Sequence, residues 1–347
     1  RGAELVGADA SPDFNPHPRS EFSMLSYRHA FHAGNHADVF KHALLRQLLV
    51  LMQRKQTPLC CLDSHAGTAF YDLQGEAAGK TGEYVEGIGR LWARDDLPLW
   101  LADYRDAVAR HNPDGQLRWY PGSPQIMAEL LREQDRMIVS ELHPEDAETL
   151  RAHFAGQPDI AVHQRNGYEL PKAFLPVPEK RALWLLDPPF EKTDDLERCV
   201  AGVAQAISRM RQTVIAIWYP IKDQRLLKDF YQGIADSGAP KALRVELNVR
   251  PADNQLGLNG SGMMLINPPW PIWEELEQVL PGDEDQRVGD FVAEGLADII
   301  QMTEQYREQA GADLDAAGLK ALQDLHSHID AHGGWHPQQQ VESICTE

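Results

Sequence analysis

The sequence contains no run of 18 or more apolar residues, and a helix that spans a membrane needs about that many. Residues 1–23 also lack the apolar stretch of a secretory signal peptide. The four cysteines, Cys60, Cys61, Cys199 and Cys345, have neither metal-ligand nor disulfide-framework spacing. These absences predict a cytoplasmic protein whose cysteines are reduced.

A dense basic segment is also missing, and the formal net charge of the 347 residues is −19. Most of that charge lies towards the ends of the chain. Residues 1–23 carry −2 and residues 282–347 carry −11, which leaves −6 for residues 24–281. A core with so small an acidic excess can still present a local basic face, so the charge does not exclude a nucleic-acid partner.

The two ends differ from the middle in composition as well as charge. Residues 1–23 have no periodic apolar pattern, and we expect a disordered leader, or an extension that precedes a natural start at Met24. Residues 282–347 are acidic and rich in alanine and glutamine. We expect them to form a partly helical tail without strands, with helices over 291–308 and 314–329.

Between these ends, strand-like and helix-like segments alternate after a first predicted helix over 35–53. Residues 68–120 break the alternation and predict an inserted helical subdomain. Short apolar runs predict about seven strands, the last two forming an antiparallel hairpin: 59–62, 137–140, 160–163, 182–186, 214–218, 243–249 and 263–266. This order predicts an α/β fold with a mostly parallel, Rossmann-like sheet, which resembles that of class I methyltransferases.

The segment Asp187-Pro188-Pro189-Phe190 follows the apolar run 182–186 and should lie at the carboxyl end of a strand, where open α/β sheets bind ligands. An exocyclic amino nitrogen of a base is a poor nucleophile because its lone pair is delocalised into the ring. Two hydrogen-bond acceptors at its N–H groups would free that lone pair. The Asp187 carboxylate and the Pro188 carbonyl are candidate acceptors, and Phe190 could stack on a base that has left its helix.

The same residues also occur as a plain turn after a strand, and a second copy of the pattern competes with the first. This copy, Asn267-Pro268-Pro269-Trp270, follows the last predicted strand of the domain. It should therefore lie far from a cofactor that binds at the first strand. We predict that Asp187, and not Asn267, is catalytic.

Three other strand ends carry residues suited to a nucleoside cofactor. The turn after the first strand departs from the GxGxxG pattern, but Gly67 lets the backbone approach a ligand. His65 can face the methionine part of S-adenosylmethionine, the cofactor of class I methyltransferases. Glu141 ends the second strand, where an acid can accept both ribose hydroxyls. Asn166 and Gly167 end the third and suit an adenine edge. Each is also typical of an ordinary turn, so the prediction depends on their order.

Residues 26–32 interleave aromatic and basic side chains, a composition that suits base stacking and phosphate contact in RNA. The same composition also occurs at the polar start of an ordinary helix. Lys41 and His42 follow on the next predicted helix. We predict no metal from the cluster in this region, because it lacks a recognised ligand spacing and includes no cysteine: His29, His32, His36, Asp38 and His42.

Eight motifs occur in one order along the chain: MLSYRHAFHAGNHADVFKH (24–42), LDSHAG (62–67), GEY (82–84), YPGSP (120–124), ELHP (141–144), LDPPF (186–190), WYP (218–220) and GMMLINPPW (262–270). They closely resemble motifs of the RlmJ family of 23S ribosomal RNA adenine-N6 methyltransferases, once described as proteins for using external DNA. The resemblance covers about residues 24–281. The chain departs from the family in both tails and at Phe190, where tyrosine is common, although phenylalanine can still stack on a base.

The resemblance implies a role for each matching residue. It implies that the catalytic turn is formed by Asp187, Pro188, Pro189 and Phe190. It implies that S-adenosyl-L-methionine is bound by His42, His65, Ser123, Glu141, Asn166, Gly167 and Asp187. It implies that the RNA substrate is contacted by Tyr27, His29 and Lys41.

We therefore expect a cytoplasmic monomer that methylates N6 of a flipped-out adenine in 23S ribosomal RNA, either naked or in an early assembly particle. No membrane and no metal are expected to take part. Two kinds of alternative stay open at this point. One is the same chemistry on DNA adenine or on a protein glutamine amide, and the other is a non-enzymatic module that binds external DNA.

Overall fold

The computed structural model describes residues 28–222, 224–249, 258–272 and 276 and the strand 300–306, with the backbone alone for 224–226 and 300–306. The predicted leader, most of the predicted tail and Tyr27 lie outside the described residues. Within the described part of the chain, none of the helices has the length and apolar character that crossing a bilayer requires.

The main sheet contains eight strands, and five of them run parallel as neighbours. Their bounds are β1 Cys60–Asp63, β4 Arg136–Glu141, β5 Ile160–Gln164, β6 Ala182–Leu186, β7 Val214–Ile221, β8 Lys241–Asn248, β9 Gly260–Ile266 and β10 Ile300–Tyr306. The order across the sheet is β10-β8-β9-β7-β6-β1-β4-β5. From β7 to β5 every pairing is parallel, whereas β9 is antiparallel to both β7 and β8. The predicted mostly parallel sheet with a terminal hairpin is confirmed.

Helices cover both faces of the sheet, which explains why its central strands are continuous apolar runs. All five residues of β6 are buried; Leu183 and Leu185 contribute to the core on one face, Trp184 and Leu186 to the core on the other. The helices are α1 His36–Gln53, α4 Leu99–Ala109, α5 Ser123–Ala128, α6 Pro144–His153, α7 Leu170–Phe174, α8 Asp195–Arg209 and α9 Gln224–Asp236.

The segment between β1 and β4 contains a small sheet as well as helices. Its strands β2 Phe70–Asp72 and β3 Trp119–Pro121 are antiparallel and flank α2 Glu76–Thr81, α3 Ile88–Leu91 and α4. The helical insert predicted for residues 68–120 therefore also contains two short strands. Three residues are too few to show a strand period, and the pairing joins positions about 50 residues apart.

The described part of the tail also differs from its prediction. Residues predicted to be helical, within 291–308, instead form β10, which pairs antiparallel with β8 at the edge of the sheet. A sequence window shows helical periodicity but not the unpaired N–H and C=O groups that an edge strand offers to another segment. Pairing with the edge of β8 therefore determines the conformation of residues 300–306, and the local sequence pattern does not.

Candidate active site

One cavity of about 720 Å³ opens at the carboxyl ends of the parallel strands. Its volume lies within the usual range of ligand pockets, roughly 300–1,000 Å³. All the predicted site residues that the structure describes line this cavity: His29, Lys41, His42, His65, Ser123, Glu141, Asn166, Gly167, Asp187, Pro188, Pro189 and Phe190. The structure brings them together, and their individual roles stay predictions. Tyr27 lies outside the described residues.

The Asp-Pro-Pro-Phe turn directly follows the buried strand β6. The Asp187 side chain is 14% exposed and lines the cavity. Phe190 has a φ of +51°, a left-handed conformation that bulky residues rarely adopt. Its ring lies edge-on to the ring of Trp218, with 5.5 Å between the centroids. Such strain in a non-glycine residue is typical of functional turns, where the surrounding structure holds the conformation.

Lys41 connects this turn to the first helix. Its Nζ donates to Asp187 Oδ2 at 2.5 Å and lies 2.8 Å from Asp38 Oδ1. Burial by itself would lower the pKa of Lys41, but the carboxylates of Asp187 and Asp38 outweigh it and hold that pKa well above its ordinary value. The ammonium therefore stays charged inside the cavity.

His42, one turn after Asp38 on α1, faces a tyrosine pair. Its Nδ1 lies 2.9 Å from the Tyr120 hydroxyl, which lies 2.7 Å from the hydroxyl of Tyr104. Burial lowers the pKa of His42 to about 3. The imidazole is therefore neutral at neutral pH, and its orientation is set by a hydrogen bond from β3.

Glu141, at the end of β4, is held by two backbone amides. Gly67 N–H donates to Oε2 at 2.9 Å and His143 N–H donates to Oε1 at 2.7 Å. Burial raises the pKa of the carboxyl group, and these amide bonds partly oppose that effect. A carboxylate has about four lone-pair sites, so both oxygens can still accept bonds from a ligand.

At the end of β5 the backbone comes very close to the turn after β1. A Cβ atom added at Gly167 would lie 2.0 Å from the Ser64 carbonyl oxygen, so no other residue fits there without displacing the backbone. The neighbouring Asn166 side chain accepts from Tyr168 N–H at 3.2 Å. The His65 ring lies edge-on to Tyr168 at 5.3 Å, and burial lowers the pKa of His65 to about 3.

Asp63, the last residue of β1, is an acid of the site that the sequence did not single out. It is fully buried, and its Oδ2 accepts from Ser123 Oγ at 2.7 Å. Burial raises the pKa of Asp63 to about 7, against the opposing effect of the Ser123 bond, and the negative charge of Asp187 adds to the rise. Ser123 is thereby fixed at the start of α5, where it lines the cavity.

The cavity residues fit S-adenosylmethionine, a cationic nucleoside. Glu141 retains acceptor capacity for a ribose diol, and Gly167 lets the end of β5 pack directly against the turn after β1. His42 and His65 are neutral, so neither puts a positive charge beside a sulfonium group. Glu141, Asn166 and Gly167 would hold the nucleoside part, and His65 would face the methionine part.

Sequence reasoning missed three other side chains that shape the cavity: Asp38, Tyr168 and Trp218. Asp38 precedes Lys41 and His42 by three and four residues, a helical spacing that places all three on one face of α1. That signal was available in the sequence. Tyr168 bonds to Asp195 at 3.0 Å, and Trp218 lies beneath Lys41 at 5.9 Å, contacts between distant segments that no local pattern shows.

Comparison with known proteins places this chain in a family. A family model described as "Ribosomal RNA large subunit methyltransferase D, RlmJ" matches residues 56–292. The chain is 43% identical over 258 residues to ribosomal RNA large subunit methyltransferase J of Escherichia coli K12, covering 74% of this chain and 92% of the relative. It is 44% identical over 259 residues to the Haemophilus influenzae protein of the same name, with the same two coverages.

A solved structure is similar to most of this chain. The crystal structure of a Legionella pneumophila protein of the family DUF519 is similar with a TM-score of 0.70 and 30% sequence identity. The similarity covers 80% of this chain and 99% of that protein. The predicted class I methyltransferase fold agrees with these matches. The chain belongs to the RlmJ family of ribosomal RNA large subunit methyltransferases.

Proposed function

We propose that this protein transfers the methyl group of S-adenosylmethionine to the exocyclic N6 of an adenine in large-subunit ribosomal RNA. One observation carries the proposal. The Asp187 turn opens into the same cavity as Glu141 and Gly167, which supports a site for an amino-group acceptor beside a site for a nucleoside. The names of the matched relatives give the substrate class, and the geometry supports the chemistry.

The Asp187 turn would activate the adenine amino group through hydrogen bonds. The Asp187 carboxylate would accept one N–H and the Pro188 carbonyl the other, which shifts the nitrogen towards pyramidal geometry and returns its lone pair. The prolines restrict φ on both sides of the Pro188 carbonyl, so the acceptor is preorganised before the base arrives. Phe190 would stack on the ring of the flipped adenine.

S-adenosylmethionine supplies an electrophilic methyl group on a sulfonium centre. The chain's own contribution is to place the amino nitrogen in line with that group and to keep water out. Positioning of two reactants in this way accounts for much of the rate enhancement in bimolecular transfers. Lys41 holds Asp187 in place, since its ammonium donates to that carboxylate.

His29 and Lys41 line the same cavity as Asp187. We propose that these two residues and Tyr27 contact the RNA substrate. The acceptor base must be unstacked to reach a cavity at the strand ends. We further propose that the protein acts as a cytoplasmic monomer. Its three described cysteines are free and buried, which suits a reducing compartment.

The test is a methylation assay with labelled S-adenosylmethionine and ribosomal RNA from cells that lack the endogenous enzyme. Wild-type protein should label N6 of adenine in the large-subunit RNA. Asp187→Ala should lose at least about 100-fold in rate, because an acceptor that acts on the reacting group is removed. Isothermal titration should show cofactor affinity within a few fold of wild type.

Parallel reactions with double-stranded DNA and with a glutamine-containing protein separate the proposed substrate from the alternatives. Labelling of either one in preference to RNA would overturn the assignment of the acceptor. Full activity of Asp187→Ala on ribosomal RNA would overturn the catalytic assignment, since the chemistry described here depends on that carboxylate.

A further inference from the structure

We propose that Asp38 is a positioning residue that shares the Lys41 ammonium with Asp187 and so keeps Asp187 a strong acceptor. Asp38 has a side chain only 3% exposed, and it makes three short contacts besides a longer one of 3.9 Å to His42 Nε2. Oδ1 lies 2.8 Å from Lys41 Nζ, and Oδ2 accepts from His29 Nε2 at 2.9 Å and from Gly34 N–H at 2.9 Å. This inference rests on the proposed function.

The position of Asp38 in its helix gives the alternative explanation, an ordinary helix-start acid. Asp38 is the third residue of α1, and its backbone N–H donates to the Asn35 side chain, which caps the helix. Acids in a first turn are stabilised by the helix dipole and usually lie in solvent. Here the carboxylate is instead buried beside the two predicted RNA-facing side chains, His29 and Lys41. Capping alone does not require that burial.

The charges in this group explain what Asp38 would do. Burial would raise the pKa of Asp38, but the neighbouring His29 and Lys41 hold that pKa well below the ordinary value. The Asp38 carboxylate therefore stays ionised. Lys41 has three N–H groups and divides them between two carboxylates. With Asp38 ionised, the trio of Lys41, Asp38 and Asp187 carries a net charge of −1.

If Asp38 lost its charge, Lys41 would be bound by Asp187 alone and would neutralise it. A carboxylate in a one-to-one ion pair is a weaker acceptor for the amino group of adenine than one that shares its cation. Asp38 would also no longer hold the Lys41 ammonium towards α1. The effect of Asp38 on methyl transfer therefore passes through Lys41.

A double-mutant cycle tests this dependence. Asp38→Asn keeps the size of the side chain and an oxygen for the Gly34 N–H, but removes the charge. We expect its single-turnover methylation rate at saturating RNA and cofactor to fall about 10- to 100-fold. Lys41→Met removes the ammonium, and the double variant should be no more than about threefold slower than Lys41→Met alone, because one interaction is removed twice.

The matched control is Glu83→Gln, which removes a cavity carboxylate that binds His32 at 3.0 Å and has no contact with Lys41. Its effect and that of Lys41→Met should multiply in the double variant. Multiplicative effects of Asp38→Asn and Lys41→Met, or a rate for Asp38→Asn within twofold of wild type, would overturn the proposal. If Asp38→Asn does not fold, Asp38→Glu serves instead, because it keeps the charge but moves it, and an unchanged rate then counts against the proposal.

Failure of this inference can be told apart from failure of the proposed function. The acceptor assay on wild-type protein establishes whether ribosomal RNA is the substrate. The cycle is then run with whichever acceptor the wild type methylates. Coupling between Asp38 and Lys41 on a different acceptor would support the positioning role and contradict only the substrate.

Discussion

Two turns of nearly the same sequence end two strands of the same sheet, and they face opposite ways. Asp187-Pro188-Pro189-Phe190 follows β6, which is parallel to its neighbours, and opens into the cavity. Asn267-Pro268-Pro269-Trp270 follows β9, which is antiparallel to β7, and so lies at the amino ends of the parallel strands. There the Asn267 amide donates to the carbonyls of Arg211 and Thr213. The direction of the preceding strand, more than the motif itself, determines which turn meets the cofactor.

The two turns share one unusual backbone conformation, which is more costly in one turn than in the other. Phe190 and Asn267 both have a φ of +51°. Asparagine adopts this conformation readily, whereas a bulky aromatic residue does so only under constraint. The strain therefore lies in the turn that faces the cavity. We expect changes at the cavity edge to reduce activity, and changes at the opposite edge to reduce only stability.

Among the changes that compare the two edges of the sheet, the largest effect is expected where the cavity edge leaves no space. Gly167→Ala should weaken S-adenosylmethionine binding at least about tenfold, because the new Cβ would lie 2.0 Å from the Ser64 carbonyl and must push the two turns apart. Isothermal titration measures the affinity. Gly79→Ala is the control, since a Cβ at that helical position meets nothing within 4 Å. An unchanged affinity for Gly167→Ala would show that this close approach does not shape the nucleoside site.

A smaller effect is expected from the aromatic residue of each turn. Phe190→Ala should lower methylation efficiency on RNA about tenfold, because stacking of a base on an aromatic ring is worth roughly 1–3 kcal/mol. Phe190→Tyr should keep most of the activity. Trp270→Ala removes a large, 38% exposed aromatic from the other turn and should stay within twofold of wild type. Equal losses in Phe190→Ala and Trp270→Ala would remove the contrast between the two edges.

Two lysines at the cavity edge allow a finer test of RNA contact. Lys192 and Lys222 follow the carboxyl ends of β6 and β7 and line the cavity. Neither has an ion-pair partner in the part of the chain that the structure describes. Each Lys→Gln change should reduce RNA affinity severalfold and flatten the dependence of log affinity on log salt by about 0.7–0.9 per phosphate contact. Fluorescence anisotropy across a salt series measures both quantities.

The control for that series is Lys55→Gln, an exposed lysine just before β1, at the amino edge of the sheet. Its salt slope should match wild type. A slope that stays at the wild-type value in both cavity variants would exclude Lys192 and Lys222 from phosphate contact. A slope that falls equally in all three variants would point to a general charge effect rather than a local contact.

The sheet could largely be predicted from sequence, because buried parallel strands are continuous apolar runs that can be seen locally. The strands that were missed lack that signal. β2 and β3 have three residues each, and β10 depends on pairing with the edge of β8. Where a strand forms because of the strand it pairs with, the local sequence contains little of the information needed to predict it.

The candidate site shows the same division between local and distant information. Glu141 ends β4, and Asn166 and Gly167 follow the end of β5, so the sequence order predicts that they meet at one edge. The bond between Lys41 and Asp187 joins residues 146 positions apart. The sequence identified both residues but could not show that Asp187 and Asp38 share the Lys41 ammonium as their hydrogen-bond donor.

The smallest effect on activity is expected at the second turn itself. Asn267→Ala should leave methylation within twofold of wild type but lower the free energy of unfolding by about 1–3 kcal/mol. The amide donates to the Arg211 carbonyl at 2.8 Å and to the Thr213 carbonyl at 2.9 Å, and alanine replaces neither bond while also resisting a φ of +51°. Urea denaturation measures the loss.

Asn267→Gly separates the two causes, because glycine removes the same hydrogen bonds but tolerates a positive φ. It should be destabilised less than Asn267→Ala, and the difference gives the conformational part. A folded Asn267→Ala variant that loses methylation would mean that the amino edge takes part in catalysis. The rule that strand direction selects the functional turn would then be wrong for this sheet, and the assignment of Asp187 would have to rest on its contact with Lys41 alone.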